Sequence, residues 1–330
     1  MCQSRPRSAA LALLMAAFAP LCHASPASTF VHLHDIALGG EGKWDYANID
    51  VSHQRLYVTH GNQVQVVDLN TGSQVGAIAD TEGAHGIDFA PELNLGFTSN
   101  GRADSVTVFA LDSMKVQQQV KVNGKNPDAI LYVPQSHQLY TFNGKSNDIT
   151  VFDVPSMRIV RTIQAGGRPE FAVHDGANRV YFNLEDKNEI GVIDTAAGKV
   201  IAHWPLSQCE EPTGLALDRA HARLISACAN KVAVVTDAHD GRRIADFAIG
   251  THPDAVVYDA KSGTVLVSNG DSATMTVARQ LTPDQYKVEA SVATAKGAKT
   301  MAYAPATQQV YLPAAVNGGF KILVLGPAAR

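Results

Sequence analysis

The sequence repeats one pattern seven times at a nearly constant spacing. Each copy has a small or prolyl turn residue, a polar residue, an apolar strand, and then a second strand with a Leu-Tyr-like centre. Successive polar residues lie 40, 43, 42, 43, 41 and 45 positions apart. We call these seven residues the anchors: Asp45, His85, Asp128, Glu170, Thr213, Asp254 and Lys299. A period of this length indicates a repeat architecture.

The distances inside each copy support the same alignment. An aromatic or aliphatic residue follows each anchor by twelve positions, or by eleven in the fourth copy. Each copy also contains short runs with strand character between turn residues, as at 255–259, 264–268, 274–278 and 287–292 in the sixth. Four strands in 40 to 45 residues are typical of a propeller blade. The repeat therefore predicts an all-β, seven-bladed β-propeller with four-stranded blades.

The two ends of the repeat region predict how the ring closes. The last copy has only three strand-like runs, at 300–303, 309–312 and 320–325. The segment 30–38, which precedes the first anchor and leads into two glycines, has the form of the fourth runs elsewhere. We therefore expect the N-terminal strand to complete the last blade, which would remove an exposed strand edge.

The first 24 residues have the pattern of a secretory signal peptide. Two arginines precede an apolar stretch at 9–19, and small residues end at Ala24. The apolar stretch is too short to span a bilayer. We expect residues 1–24 to be removed, leaving 25–330 as a single propeller domain without a membrane span, in the periplasm or secreted.

Charge and cysteine content limit the function classes of such a chain. Removal of the signal takes away two arginines and no acidic residue, so the formal net charge changes from −4 to −6. This balance offers no general attraction to nucleic acid or to an anionic membrane. Lipid attachment at Cys22 is a second interpretation of the N-terminus, which the unfavourable Leu21 before it argues against. Cys209 and Cys228 remain after processing, and an oxidising compartment favours a disulfide between them over two buried thiols.

The second and third strands of several copies resemble a known family. Residues 55–59 (RLYVT), 138–143 (QLYTFN) and 179–183 (RVYFN) are each followed by a strand of the form VQVVD, ITVFD or IGVID. These segments resemble the YVTN repeat of the YncE-like β-propeller proteins, and the resemblance covers the whole chain after residue 24. It implies a seven-bladed propeller that is often exported and is used for binding. It implies no reaction, and the repeated residues themselves are expected to be structural.

The anchors and their neighbours are the candidate functional residues. The first strand of each blade lines the central channel of a propeller, so the seven anchors should gather around one mouth of that channel. Polar turn residues chosen for backbone geometry are the alternative explanation for each of them. The candidate ligand-binding residues are Lys43, Trp44, Asp45, His85, Asp128, Arg168, Glu170, His252, Asp254 and Lys299.

Three functions are compatible with such a mouth. The favoured one is a binding or scaffold protein for a small polar molecule, a peptide, a glycan or a protein. The second places a divalent metal among the carboxylates and His85 or His252, although no compact ligand motif marks one. The third adds catalysis by that metal, as in lactonase- or lyase-type propellers. Nucleic acid is disfavoured because Trp44 is the single large aromatic residue among these candidates.

Overall fold

A computed structural model describes residues 30–40 and 42–328, together with Met1. Apart from Met1, the predicted signal peptide therefore lies outside the described residues. The described chain consists of 28 strands and one 3₁₀ turn at Pro91–Leu93. The strands form seven four-stranded antiparallel sheets, so the predicted seven-bladed propeller is confirmed. No helix within these ranges is long and apolar enough to cross a membrane.

The strands follow the blades in chain order, after an initial strand β1 (Phe30–Ala37). Blade 1 contains β2 (Trp44–Asp50), β3 (Arg55–His60), β4 (Gln63–Asp68) and β5 (Ser73–Ile78). Blade 2 contains β6 (Ala84–Ala90), β7 (Leu95–Asn100), β8 (Ser105–Ala110) and β9 (Val116–Lys121). Blade 3 contains β10 (Pro127–Val133), β11 (Gln138–Asn143), β12 (Asp148–Asp153) and β13 (Arg158–Gln164). Blade 4 contains β14 (Pro169–His174), β15 (Arg179–Leu184), β16 (Glu189–Asp194) and β17 (Lys199–Pro205).

The remaining blades follow the same order. Blade 5 contains β18 (Pro212–Asp218), β19 (Arg223–Cys228), β20 (Val232–Asp237) and β21 (Arg243–Ala248). Blade 6 contains β22 (Pro253–Asp259), β23 (Thr264–Asn269), β24 (Thr274–Thr282) and β25 (Gln285–Ala293). Blade 7 contains β26 (Ala302–Ala304), β27 (Gln309–Val316) and β28 (Gly319–Pro327).

Strand β1 is the fourth strand of blade 7. It pairs antiparallel with β28, from Phe30 opposite Pro327 to Ala37 opposite Lys321. Phe30 and Ile36 of β1 are buried. The predicted closure of the last blade by the N-terminal strand is therefore confirmed, and this pairing gives β28 a partner on its outer side.

Apolar side chains fill the spaces between blades. The second and third strands are buried almost throughout, while the fourth strands of blades 1 to 6 are mostly exposed or half-buried. The core divides into seven clusters of buried side chains, and each cluster combines residues of two adjacent blades. The cluster between blades 7 and 1 includes Val58 and Ile322. Burial of this apolar surface stabilises the ring at every interface between blades.

The asparagine that ends several second strands has a structural role. Asn143 at the end of β11 donates from Nδ2 to Asp148 Oδ1 at 2.7 Å and to Thr150 Oγ1 at 3.0 Å on β12. Asn100 and Asn269 make comparable bonds in blades 2 and 6. All three asparagines are fully buried. These repeated residues therefore hold the second strand to the third.

Candidate functional site

A β-bulge places the first anchor at the channel end of its strand. In blade 1, Trp44 is opposite His60 and Ala47 is opposite Val58, so two residues of β2 oppose the single Thr59. Similar register shifts occur at the start of the innermost strand in blades 2 to 6. A bulge redirects side chains that strict alternation would send elsewhere. The six anchors of blades 1 to 6 lie in these irregular segments, and Lys299 lies just before β26.

Side-chain hydroxyls tie neighbouring blades together at carbonyl groups of the anchors or of the residue next to an anchor. Thr300 Oγ1 donates to the Asp45 carbonyl at 2.6 Å, and Thr213 Oγ1 donates to the Pro253 carbonyl at 2.7 Å. The hydroxyl of Ser99 donates to the Asp128 carbonyl, and that of Ser268 donates to the Lys299 carbonyl. Because a bulge removes regular ladder bonds, these side chains satisfy carbonyl groups that would otherwise lack partners.

Five anchor side chains form an arc of alternating charge over blades 6, 7, 1, 2 and 3. Lys299 Nζ donates to Asp254 Oδ2 at 2.5 Å and to Asp45 Oδ1 at 3.2 Å. The other oxygen of Asp45, Oδ2, lies 2.6 Å from His85 Nδ1, and His85 Nδ1 lies 3.8 Å from Asp128 Oδ1. Exposure of these side chains runs from 9% for Asp254 to 29% for Lys299. We call these five residues the ionic arc.

The two cations of the arc hold Asp45 in its charged form. Burial alone would raise the pKa of Asp45, but the hydrogen bond with His85 and the charge of Lys299 lower it below its ordinary value. Burial opposes the charged form of His85 as well, yet its bond to Asp45 and the nearby Asp128 carboxyl raise the pKa of the imidazole to about 9. Lys299 has a raised pKa despite its burial, because Asp254 and Asp45 face it. Charged Asp45 therefore lies between two cations at neutral pH.

The remaining acidic anchors hold their protons more strongly than free carboxyl groups do. Burial raises the pKa of Asp128 to about 7, against the opposing effect of His85. Burial and the nearby carboxyls of Asp128 and Asp254 raise the pKa of Glu170 well above its ordinary value. Burial also raises the pKa of Asp254, although Lys299 partly offsets it. This part of the ring contains proton donors as well as acceptors at neutral pH.

An aromatic side chain of blade 1 reaches a residue of blade 4. Tyr46 Oη donates to Glu170 Oε1 at 3.2 Å, and the Tyr46 ring lies 5.3 Å from the Phe171 ring, centroid to centroid. Tyr46 is 6% exposed. Since blades 1 and 4 are not neighbours, this contact joins separate parts of the ring within the channel.

A cavity of about 1420 Å³ opens at the mouth over blades 1 to 3. Asp45, His85 and Lys299 of the ionic arc line it, together with Trp44. The Trp44 ring packs against Phe320 with centroids 5.5 Å apart, and its Nε1 is buried without a hydrogen-bond partner among the described residues. The other lining residues are Gly42, Lys43, His60, Gly61, Asn62, Gln63, Gly83, Ala84, Gly101, Arg102, Asp104, Lys125, Asn126 and Lys145.

Glycine at position 101 leaves room beside His85 in this cavity. A Cβ atom on Gly101 would lie 2.6 Å from both Cδ2 and Nε2 of the His85 ring. Among the described residues His85 has its one hydrogen bond through Nδ1, to Asp45. The Nε2 side of the ring is therefore available to a ligand only because residue 101 has no side chain.

The predicted site residues fall into three groups. Lys43, Trp44, Asp45, His85 and Lys299 line the cavity. Asp128, Glu170 and Asp254 lie in the anchor ring but do not line it. The last two, Arg168 and His252, are exposed beyond the cavity, and Arg168 Nη2 pairs with Glu185 Oε1 at 2.7 Å.

Sequence reasoning missed Tyr46 and Gly101 as contributors to this site. Tyr46 directly follows the anchor Asp45. In a regular strand the side chains of two successive residues point to opposite faces, so Tyr46 is not expected on the side of Asp45. The bulge changes this, and no turn residue marks the bulge in the sequence. Gly101 directly follows the second strand of its copy and could have been noted as a glycine at the mouth.

A disulfide lies on the blade 5 side of the same face. Cys209, in the loop before β18, is bonded to Cys228, the last residue of β19, with Cα atoms 5.3 Å apart. Both residues are buried. The bond fixes the loop that leads into the fifth anchor strand.

Three side chains of the arc have the spacing of a metal site. One atom each of Asp45, His85 and Asp128 lie within 4.8 Å of one another. Carboxylate oxygen and imidazole nitrogen suit several divalent cations. The Lys299 ammonium beside Asp45 already supplies one positive charge to this group.

Comparisons with known proteins identify the fold alone. No protein-family model matches the sequence, and no curated protein matches it. A chain of the solved mitotic checkpoint complex is similar at a TM-score of 0.79 and 12% identity, covering 98% of this chain and 99% of that one. A chain of Kuenenia stuttgartiensis hydrazine synthase is similar at a TM-score of 0.76 and 15% identity, covering 93% of this chain and 100% of that one. Identities this low support no transfer of function.

Proposed function

We propose that the protein is an exported binding protein of the YVTN-repeat, YncE-like type, which holds a small polar ligand, a peptide or a glycan at the channel mouth. The observation that carries the proposal is the cavity of about 1420 Å³, whose lining combines Asp45, His85 and Lys299 with Trp44. Concave sites with a few converging polar groups are the usual ligand sites of proteins. The hydrogen bonds from side-chain hydroxyls to backbone carbonyls of the neighbouring blade would keep these groups in place when the ligand is absent.

A steric block of the cavity tests this function whatever the chemical class of the ligand. The exposed Asn62 lines the cavity, and Asn62→Trp should fill part of it. Small acids, peptides and glycans that bind the unmodified protein in calorimetry should lose binding to this variant. Asn178→Trp, in an exposed turn between β14 and β15, is the matched control. Binding that survives Asn62→Trp would refute the cavity as the site.

Export is part of the same proposal. The predicted signal at 1–24 and the disulfide of Cys209 and Cys228 both suit an oxidising compartment outside the cytoplasm. Mass spectrometry of the protein recovered from periplasm or medium should give a mature chain beginning at Ser25. A full-length chain retained in the cytoplasm would contradict the proposal.

A divalent cation at Asp45, His85 and Asp128 supports a second candidate function, that of a lactonase- or lyase-type enzyme. The 4.8 Å grouping of their ligand atoms is the specific observation in its favour. Such an ion would polarise a carbonyl group or activate water. Elemental analysis of unchelated protein should then show one metal per chain, lost in Asp128→Ala. Protein without stoichiometric metal would reject this candidate.

A further inference from the structure

We propose that the cavity binds a low-molecular-weight ligand bearing at least two anionic groups, carboxylates or phosphates, through Lys43, Arg102 and Lys145. This inference rests on the proposed binding function and names the ligand class. It assigns a role to the loops between the second and third strands of blades 2 and 3, where Arg102 and Lys145 lie.

The cavity has an excess of positive charge in a chain that is acidic overall. Its lining contains five Lys or Arg side chains and two carboxylates, whereas the whole sequence has a net charge of −4. The two carboxylates are already engaged, because Asp45 binds Lys299 and Asp104 Oδ2 accepts a bond from Lys125 Nζ at 2.8 Å. The excess therefore lies on the other three cations.

Those three cations have no acidic partner within the described part of the chain. Arg102 Nη1 has a hydrogen bond of 3.4 Å to the amide oxygen of Asn62, and Lys43 and Lys145 have no side-chain hydrogen bond there. All three side chains belong to exposed residues around one concave opening. Three like charges around one cavity repel one another, and an anion between them would relieve that repulsion.

The corresponding cations of blade 4 behave differently. Arg168 pairs with Glu185, and Lys187 Nζ lies 3.7 Å from Asp186 Oδ2. Lys187 occupies the loop between β15 and β16, which corresponds to the loop of Lys145 in blade 3. The cations of blade 4 therefore have acidic neighbours, whereas Lys145 of blade 3, which lines the cavity, has none among the described residues.

The size of the cavity and its lining define the ligand further. A concave opening of about 1420 Å³ has room for a small molecule with more than one anionic group. Cations around an opening recognise spread anionic groups, while Asn62, Gln63 and Asn126 offer amide groups to hydroxyl or carbonyl oxygen. Trp44 supplies an apolar wall.

Calorimetry with defined probes tests the proposal. Citrate represents carboxylates and inorganic pyrophosphate represents phosphates, while glucose and spermidine are neutral and cationic controls. At least one anionic probe should bind, with affinity that falls as salt is raised, and the relative affinity of the two identifies the acid group. Arg102→Gln and Lys145→Gln should each weaken binding about tenfold, because each removes a charge-assisted hydrogen bond. Lys187→Gln should bind as the unmodified protein does.

The outcomes separate this inference from the proposed function. Failure of both anionic probes to bind, or equal binding by Lys145→Gln and the unmodified protein, would overturn the inference. If glucose, a peptide or spermidine binds instead and Asn62→Trp abolishes that binding, the proposed function stands and the anionic class is wrong. Because Arg102 and Lys145 are exposed, their variants should keep the melting temperature of the unmodified protein.

Discussion

At the scale of single residues, Lys299 and His85 divide the carboxylate of Asp45 between them. Lys299 binds Oδ1 and His85 binds Oδ2, so each oxygen has its own cation. The three residues come from blades 7, 1 and 2, and the seam between the last and first blades is therefore held by an ion pair as well as by apolar packing. Removal of one partner would leave a partly buried charge uncompensated, which costs about 3 kcal/mol in comparable buried pairs.

Protonation of the acidic anchors makes stability depend on pH. The pKa of Glu170 is raised in the folded protein, so its contribution to stability is present at low pH and is lost as pH rises through that folded value. The raised pKa of Asp128 has the same effect, because the stability that its protonated form contributes is lost as the pH rises from 3.8 to about 7. The melting temperature should therefore be lower at pH 8 than at pH 5.

Glu170→Gln should reduce this decline. Glutamine stays neutral and its amide oxygen can still accept the hydrogen bond from Tyr46, so the variant should exceed the unmodified protein in melting temperature at pH 8 and match it at pH 5. Differential scanning calorimetry across this range measures the effect, with the exposed Glu82→Gln as control. Parallel curves for Glu170→Gln and the unmodified protein would show that Glu170 does not titrate in this way.

The sequence permits prediction of where the anchors lie but not of all that they contact. Their nearly constant spacing predicts Asp45, His85 and Lys299 at one end of the channel, since every blade repeats the same geometry. The contact of Tyr46 with Glu170 could not be predicted, because it depends on a bulge and on the distance across the ring. The location of the cavity, over blades 1 to 3 and beside Lys299 of blade 7, depends on loop conformations that the repeat leaves variable.

At the scale of the structural element, blade 5 replaces one stabilising contact with another. Asn143 and Asn269 end their second strands and bond to the third, whereas Cys228 ends the corresponding strand in blade 5. Its disulfide with Cys209 ties that strand to the preceding loop instead. The last residue of the second strand thus holds that strand in place in all three blades, through hydrogen bonds in blades 3 and 6 and through a disulfide in blade 5.

Removal of this disulfide should destabilise the protein. The bond joins residues 19 positions apart. Closing a loop of this size lowers the conformational entropy of the unfolded chain and so raises the free energy of unfolding by about 3 kcal/mol. The double variant Cys209→Ser/Cys228→Ser should unfold at lower urea concentration than the oxidised protein. In excess reductant, the unmodified protein should unfold at a urea concentration close to that of the variant. An unchanged urea midpoint in both cases would contradict the prediction.

At the scale of the whole molecule, the ring depends on residues from both ends of its repeat region. The pairing of β1 with β28 brings Phe30 opposite Pro327, and apolar residues of blades 7 and 1 fill the adjoining interface. The fold class, the blade number and this closure were all predictable from the repeat. They follow from periodic burial, which a single sequence displays directly.

Deletion of residues 25–38 should disrupt the ring. Loss of β1 exposes the outer edge of β28 and removes the buried Phe30 and Ile36, so the melting temperature should fall by many degrees. Deletion of 25–29 alone, which leaves β1 intact, is the control. Thermal unfolding followed by circular dichroism measures both, and equal melting temperatures would show that β1 is dispensable.

The pairing of β1 with β28 also has a consequence for biosynthesis. The seventh blade cannot be completed until residues near position 327 have been synthesised, because β1 pairs with β28. A prematurely terminated product would leave β1 unpaired and the apolar residues of blade 1 that face blade 7 uncovered, a form prone to aggregation and proteolysis. Ring closure thus distinguishes molecules with seven completed blades from those that terminate before β28.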